Sequence, residues 1–258
     1  MERVLAPVEV LRSERPGQAT DLARAAGAVD LFVLGGDGTV NEVLNGADPG
    51  ARLGLLAGGA TNVLVRALGL PDDPARLAAG ATRRISLGRV NGRRFAFAAG
   101  VGLDAELLRR AGRTRAGRRR GDLGTVWEAA KLFAGRRGRF EPGLEIRDRG
   151  EAAFALVANG DPYTYFGRLP LHVARDARFE AGLDLIAPRR LGVRDYPAAV
   201  RYLLTSGGSL ELVRGHDLDR IEVACHAPMP LQADGEDLGD VTEAVFEAER
   251  DAVEVLVG

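Results

Sequence analysis

Two short glycine stretches hold the residues best suited to chemistry. The first is Gly35-Gly36-Asp37-Gly38-Thr39, followed at once by Asn41 and Glu42; the second is Gly58-Gly59-Ala60-Thr61-Asn62. Glycines permit positive φ and let a ligand approach the backbone closely. Set between a strand and a helix N-terminus, they leave free amides and the positive end of a helix dipole facing one point, which suits an anion such as phosphate. Asp37 is the discordant member, because its charge would repel a bare phosphate. The guest it points to is a nucleotide with magnesium between carboxylate and phosphate. Much later, Asp234-Gly235-Glu236 places two carboxylates around a glycine, a pattern that taken alone is also that of a surface turn.

The elements around these stretches alternate. Val8, Val10 and Leu11 suggest a short strand ending at Ser13, and Ala19 to Ala26 reads as a helix. Leu31 to Leu34 form an unbroken apolar run, predicting a strand buried on both faces of a parallel sheet, and Thr39 begins a helix carrying Val40, Val43 and Leu44. Leu53, Leu55 and Leu56 predict another buried strand, and Val63 to Leu68 another helix, stopped at Gly69. Strand, glycine loop and helix, repeated, imply a parallel α/β sheet with both loops at the carboxyl ends of its strands, facing one cleft. After Gly80 the texture changes. Arg84 to Leu87 and Arg93 to Ala99 read as strands about an Asn91-Gly92 hairpin turn, and short β-prone segments then dominate, apart from helical spacing at Asp104 to Arg110 and Val126 to Ala134. The expected architecture is therefore α/β plus all-β: residues 1–82 as an α/β nucleotide-binding domain and 83–258 as a second domain built from antiparallel sheets.

Composition narrows the function classes. A chain of 258 residues with 46% hydrophobic and 28% charged residues is of globular type, and its net charge of −1 argues against a dedicated nucleic-acid binder. Cys225 is the only cysteine, which excludes an intrachain disulfide and a cysteine metal cluster and fits a reducing cytoplasm. No apolar run reaches the eighteen or so residues of a membrane span, and the first residues lack a signal-peptide core, so any membrane contact is expected to be peripheral. Arg109, Arg110, Arg113, Arg115, Arg118, Arg119 and Arg120, with Arg136, Arg137 and Arg139, are interleaved with Leu107, Leu108, Trp127, Leu132 and Phe133. Such a surface suits anionic lipid headgroups; the bland alternative is a solvated helical pair balanced by Glu106, Asp122 and Glu128. His172, His216 and His226 lack metal-ligand spacing.

GGDGTVNEVLNG resembles the nucleotide loop of the diacylglycerol kinase and sphingosine kinase catalytic family, and more distantly that of NAD kinases. RSERPGQATDLARAA, LGLLAGGATNVLVRALGLP, ISLGRVNGRRFAFAAGVGLDAE, VANGDPYTYFGRLPL, ARFEAGLDL and LQADGEDLG follow the family's order. The likeness is greatest to bacterial lipid kinases of the diacylglycerol kinase type. It implies a nucleotide-binding α/β domain and a C-terminal antiparallel β-sandwich domain with the ATP and acceptor sites in the cleft between them, the last strand returning to the first domain, and transfer of the ATP γ-phosphoryl group to a lipid hydroxyl. By resemblance, Gly35, Gly36, Asp37, Gly38, Thr39, Asn41 and Glu42 hold the phosphates, with Ser13, Gly59, Ala60, Thr61 and Asn62 nearby. Asp37 and Asp104 match acids of a water and magnesium network, Glu236 matches the general base, and Asp234 is its neighbour. Glu180, with the carbonyls of Ala177 and Gly182, falls where relatives hold a second, structural Mg2+. The lipid acceptor places the protein in the cytoplasm, peripheral to the inner face of the membrane.

Four departures accompany the resemblance. Nothing like the family's first strand and asparagine-proline-x-x-glycine loop precedes Val8, and a sheet edge left bare by that shortening calls for cover by the chain end or by a second subunit of a homodimer. Ala60 stands where a threonine is common, Val63 where an aspartate is common, and Glu180 where an aspartate is usual. Two readings follow: an active ATP-dependent lipid kinase, and a catalytically impaired nucleotide- or lipid-binding homologue.

Overall fold

The last strand of the chain joins its two halves. The structure, a computed structural model, describes residues 9–112, 138–205 and 209–258. Helix α1 (Gln18–Ala26), strand β1 (Asp30–Gly35), helix α2 (Asp37–Gly46), strand β2 (Arg52–Ala57) and helices α3 (Val63–Ala67) and α4 (Pro74–Ala79) make the first unit. β1 and β2 pair in parallel from Asp30↔Arg52 to Gly35↔Ala57, which brings the two glycine loops side by side at the strands' carboxyl ends. The 22-residue strand β14 (Glu236–Val257) then pairs in parallel with β2 at Glu254↔Arg52 and Val255↔Leu53. Along the same strand it pairs antiparallel with β3 (Ala81–Val90) and with β13 (Arg220–Ala233).

Beyond β3 come β4 (Arg93–Phe95), β5 (Ala98–Val101), α5 (Leu103–Gly112), β6 (Leu144–Ile146), β7 (Gly150–Ala152), β8 (Ala155–Ala158), the hairpin β9 (Thr164–Phe166) and β10 (Leu169–Leu171), β11 (Leu183–Pro188), α6 (Tyr196–Thr205) and β12 (Leu212–Leu218). Among the described residues, twelve strands form one mixed sheet whose main path runs β1-β2-β14-β13-β5-β8-β11-β12, and only β9 and β10 stand apart. One core cluster packs α1, α2 and α3 on the parallel strands around Leu44, Leu53, Leu55 and Leu64. A second fills the antiparallel part around Phe95, Leu144, Leu185 and Phe246.

Several expectations are corrected in detail. Residues 9–14 form no strand, and Val10 and Leu11 are exposed, because no described strand pairs with them. Among the described residues β1 pairs only with β2, and Leu34 is 60% exposed while Val33 is buried, so the strand is not buried on both faces. α2 begins at Asp37, two residues before Thr39. None of Gly35, Gly36 and Gly38 takes positive φ. The Asn91-Gly92 turn does form, with φ of 46° and 88°, as a two-residue hairpin turn requires. The strand expected from Arg93 to Ala99 breaks after Phe95, because the amides of Ala96, Phe97 and Ala98 turn to the Asp234 carboxylate. Helix α6 was not legible: apolar residues surround it on most sides, so no amphipathic stripe announced it. The helix expected at Val126 to Ala134 lies outside the described residues.

Candidate active site

The glycine loops are glycine because their backbones touch. A Cβ on Gly59 would stand 2.5 Å from the Gly36 Cα, and one on Gly58 would stand 2.8 Å from the Gly35 nitrogen. Real carbon contacts need about 3.5 Å or more, so only glycine lets the loops stack. The Gly58 amide donates to the Gly35 carbonyl at 2.9 Å. Asn62, in the left-handed region at φ 50°, accepts from the Gly59 amide and donates to the Gly59 carbonyl, both at 2.8 Å. Asp37 ties the pair together, its Oδ1 accepting from the Val63 amide at 2.6 Å.

The asparagine and glutamate after the first loop act through other residues. Asn41 is buried on α2; its amide donates to Asp234 Oδ2 at 2.8 Å and its Oδ1 accepts from Arg93 at 2.9 Å. Glu42 accepts the amides of Gly17 and Ala19 at 2.9 and 3.1 Å. It thereby caps α1, whose own cap residue Gly17 has no side chain to do so.

Asp234 is buried beneath the loops and takes hydrogen bonds from Asn41 and from three consecutive backbone amides. Burial nevertheless dominates and pushes its carboxyl up to about 6. Asp104, at the start of α5, is pushed up by burial as well. Its Oδ2 accepts from the Tyr163 hydroxyl at 2.5 Å and from Gln232 Nε2 at 2.7 Å, and its Oδ1 from the Ala105 amide at 2.8 Å. Tyr163 is driven well above its ordinary value, first by burial and then by the neighbouring Asp104 charge. Glu236 is half-exposed at the start of β14 and pairs with Arg93 at 2.5 Å, so Arg93 bridges α2 and the Asp234-Gly235-Glu236 turn.

One cavity of about 740 Å³ joins these parts. At one end it is lined by Gly36, Asp37, Gly38, Ala60, Thr61, Asp104, Gln232, Asp234 and Gly235. The rest is apolar, with Leu103, Leu107, Phe154, Leu156, Leu171, Val173, Leu191, Ala199, Leu203, Leu210 and Leu212. Such a volume falls within the usual range for ligand sites. Of the expected phosphate-loop residues, Gly35, Thr39, Asn41, Glu42, Gly59 and Asn62 lie outside this lining, and Ser13 is exposed in the segment before α1. Glu236 is also outside the lining, its carboxylate turned to Arg93.

Among the described residues no group of three or more histidine, cysteine or acidic side chains could hold a metal ion. Asp37 and Asp104 at the cavity's polar end would suit instead a magnesium brought by a nucleotide and held partly through water, since Mg2+ commonly takes one or two carboxylates plus phosphates, whereas both oxygens of Asp234 are committed to hydrogen-bond donors. At the expected second site, Glu180 pairs with Arg83 on β3, which already compensates the charge that would hold a cation beside Ala177 and Gly182. Arg109 pairs with Asp237 and Asp240, both at 2.7 Å, and Arg110 with Glu106. Most of the remaining arginine cluster lies outside the described residues. His172, His216 and His226 pair with Asp161, Asp184 and Glu151 in turn.

Sequence reasoning missed Tyr163, Gln232 and Arg93. Nothing in their local pattern marks them: Tyr163 and Gln232 meet Asp104 because β13, α5 and the segment leading into the β9–β10 hairpin converge, and Arg93 on β4 acts because α2 and the start of β14 meet beside it. Arg66 was missed too: it stacks 3.5 Å over the Tyr165 ring and donates to the Gly167 carbonyl at 3.1 Å, strapping α3 to that hairpin.

Residues 1–90 match the diacylglycerol kinase catalytic domain. The match holds β1, α2, β2 and both glycine loops, which form part of the polar end of the cavity. A diacylglycerol kinase from Bacillus subtilis (strain 168) is 42% identical over 102 residues, covering 35% of this chain and 34% of the relative. The aligned stretch thus spans about a third of that enzyme's length. The crystal structure of a diacylglycerol kinase from Bacillus anthracis str. Sterne superposes over 96% of this chain and 84% of its own, with a TM-score of 0.66 and 18% identity. The diacylglycerol kinase fold therefore extends through the antiparallel part, beyond the residues that match in sequence. Among the described residues no helix is long and apolar enough to cross a membrane.

Proposed function

We propose that this protein is an ATP-dependent lipid kinase that transfers the γ-phosphoryl group to a lipid hydroxyl, diacylglycerol or a related lipid. The observation that carries the reading is the cavity's division: glycine loops and three acids at one end, an apolar slot along the rest. A nucleotide's phosphates suit the first and an acyl chain the second. In the reaction the acceptor oxygen bonds to the γ-phosphorus as the bond to the β-phosphate oxygen breaks. The hydroxyl proton passes to a carboxylate, and ADP leaves.

Magnesium, when bound with the nucleotide, would neutralise charge on the phosphate oxygens. The chain's own residues do the rest. Gly36 and Gly38 let phosphate approach the start of α2, Asp37 and Asp104 face the same end, and the apolar wall excludes water from the transfer. Glu236 serves as the base once it turns from Arg93 into the cavity, a short movement for a half-exposed side chain on a strand end. The membrane supplies the acceptor.

The test uses γ-labelled ATP, magnesium and diacylglycerol in mixed micelles. Labelled phospholipid should form with the wild type and fall by about 10²-fold or more in Glu236→Gln, and vanish in Asp37→Ala. If the wild type binds ATP yet yields no labelled lipid with any hydroxyl acceptor, the kinase reading fails and a nucleotide- or lipid-binding role replaces it.

A further inference from the structure

The helix that walls the apolar slot is apolar on its outer side too. On α6, Ala199, Tyr202 and Leu203 line the cavity. Its last carbonyls accept hydrogen bonds, Leu203 from the His172 amide at 2.8 Å and Leu204 from Arg175 at 2.9 Å. The opposite face carries Val200 and Leu204, 57% and 41% exposed, with exposed Pro197 and, one turn earlier, Val193 at 59%. Positions 193, 197, 200 and 204 fall along one stripe at helical spacing. A helix apolar on both faces is ordinarily covered on both. Four apolar side chains in a row are also more than the scattered exposed residues of a normal surface.

We infer that this outer stripe of α6 docks on a lipid bilayer carrying anionic headgroups. The inference rests on the lipid kinase reading and deepens it by naming the surface through which the acceptor is met. Charge selects the occupant. Arg194 and Arg201 are exposed on the flank of the stripe, and Arg190, just before it, is 70% exposed with Glu211 no closer than 3.9 Å. Asp195, on the turn that leads into α6, accepts from the Gly192 amide at 2.8 Å. Apolar residues flanked by arginine are the make-up of helices that lie in a membrane interface, where side chains enter the acyl boundary and cations meet phosphate. Continuity with the slot gives the same occupant, because one layer of helix separates the stripe from the acceptor cavity. By contrast, Arg109 and Arg110 are committed to acids of their own protein.

The experiment is co-sedimentation of the full chain with vesicles of phosphatidylcholine alone and with about 30 mol % phosphatidylglycerol, which gives the vesicles the negative surface that basic residues meet at an anionic leaflet. It compares the wild type with a Val200→Glu, Leu204→Glu double variant and an Arg194→Glu, Arg201→Glu double variant. Phosphorylation of a water-soluble short-chain diacylglycerol is measured in parallel. The wild type should bind the anionic vesicles, and each variant should bind at least tenfold more weakly while phosphorylating the short-chain acceptor at the wild-type rate. Equal vesicle binding by wild type and variants, or no binding by the wild type, overturns the inference. So does light scattering that shows a wild-type dimer lost in the Val200, Leu204 variant, since the stripe would then belong to a second copy. Absent phosphorylation of the short-chain acceptor by the wild type sinks the kinase reading and leaves the vesicle comparison to stand by itself.

Discussion

Gly38 and Gly59 sit in facing loops yet should respond to alanine in opposite ways. On Gly59 the new Cβ would lie 2.5 Å from the Gly36 Cα and 3.0 Å from Asn62 Oδ1. The first contact is backbone to backbone, so relief requires the loops to part by about 1 Å. Overpacking of this kind costs about 1–3 kcal/mol, and it breaks the arrangement in which both loops face the cavity. On Gly38 nothing lies within 4 Å of the new Cβ and φ is not positive. This residue is the second of α2, where alanine in place of glycine gains about 0.5–1 kcal/mol. Gly38 also lines the cavity, so its methyl would stand where a phosphate must approach. Gly38→Ala should therefore raise stability in urea unfolding while weakening ATP by tenfold or more in calorimetric titration, a loss of about 1.4 kcal/mol. Gly59→Ala should lower both. If Gly59→Ala were as stable as wild type, the loop stacking would be wrong; if Gly38→Ala bound ATP normally, phosphate would not lie at the start of α2.

Two further outcomes follow from the buried acids. Asp234 keeps its proton in the folded protein up to about pH 6 and would lose it near 3.8 when unfolded, so the folded state holds an extra proton between those values. Its contribution to stability is full below the lower value and declines as pH rises through about 6, by about 3 kcal/mol in all. The difference in unfolding free energy between wild type and Asp234→Asn should shrink accordingly across that window, and a flat difference would contradict the buried setting. Tyr163→Phe keeps the ring's shape but removes the hydroxyl that reaches Asp104. It should cost about 1–3 kcal/mol in thermal unfolding, and an unchanged melting temperature would show that the Asp104, Tyr163 and Gln232 contacts are not formed together.

The N-terminal unit was the more legible half because its signals are local. Apolar runs at Leu31 to Leu34 and Leu53 to Leu56, each followed by paired glycines, mark strand and loop without reference to anything distant. Even there the physical reason differed: the glycines serve close approach between two loops rather than positive φ, and only the pairing of β1 with β2 brings those loops together. Glu42 shows the same limit, since nothing in Asn41-Glu42 tells that one residue reaches Asp234 and the other caps α1. In the antiparallel half, short β-prone segments are visible in the sequence, but the 22-residue β14 does not read as one strand. Its polar stretches pair with β13 and β3 on successive parts of its length, so no single alternation persists. Gln232 belongs to the site through the register of β13, and Tyr163 through the docking of the segment that leads into β9, both properties of the assembled sheet.

The central claim is that one cavity holds a nucleotide at its glycine end and a lipid in its apolar part, and Leu156→Trp beside Gly38→Ala tests it most directly. Both residues line the cavity, Leu156 on β8 in the apolar part and Gly38 at the polar end. Steady-state phosphoryl transfer from ATP to a long-chain diacylglycerol should show a tenfold or greater rise in acceptor KM with ATP KM unchanged for Leu156→Trp, and the reverse pattern for Gly38→Ala. If filling the apolar part left the acceptor KM unmoved while transfer continued, the lipid would bind elsewhere and the claim would fail.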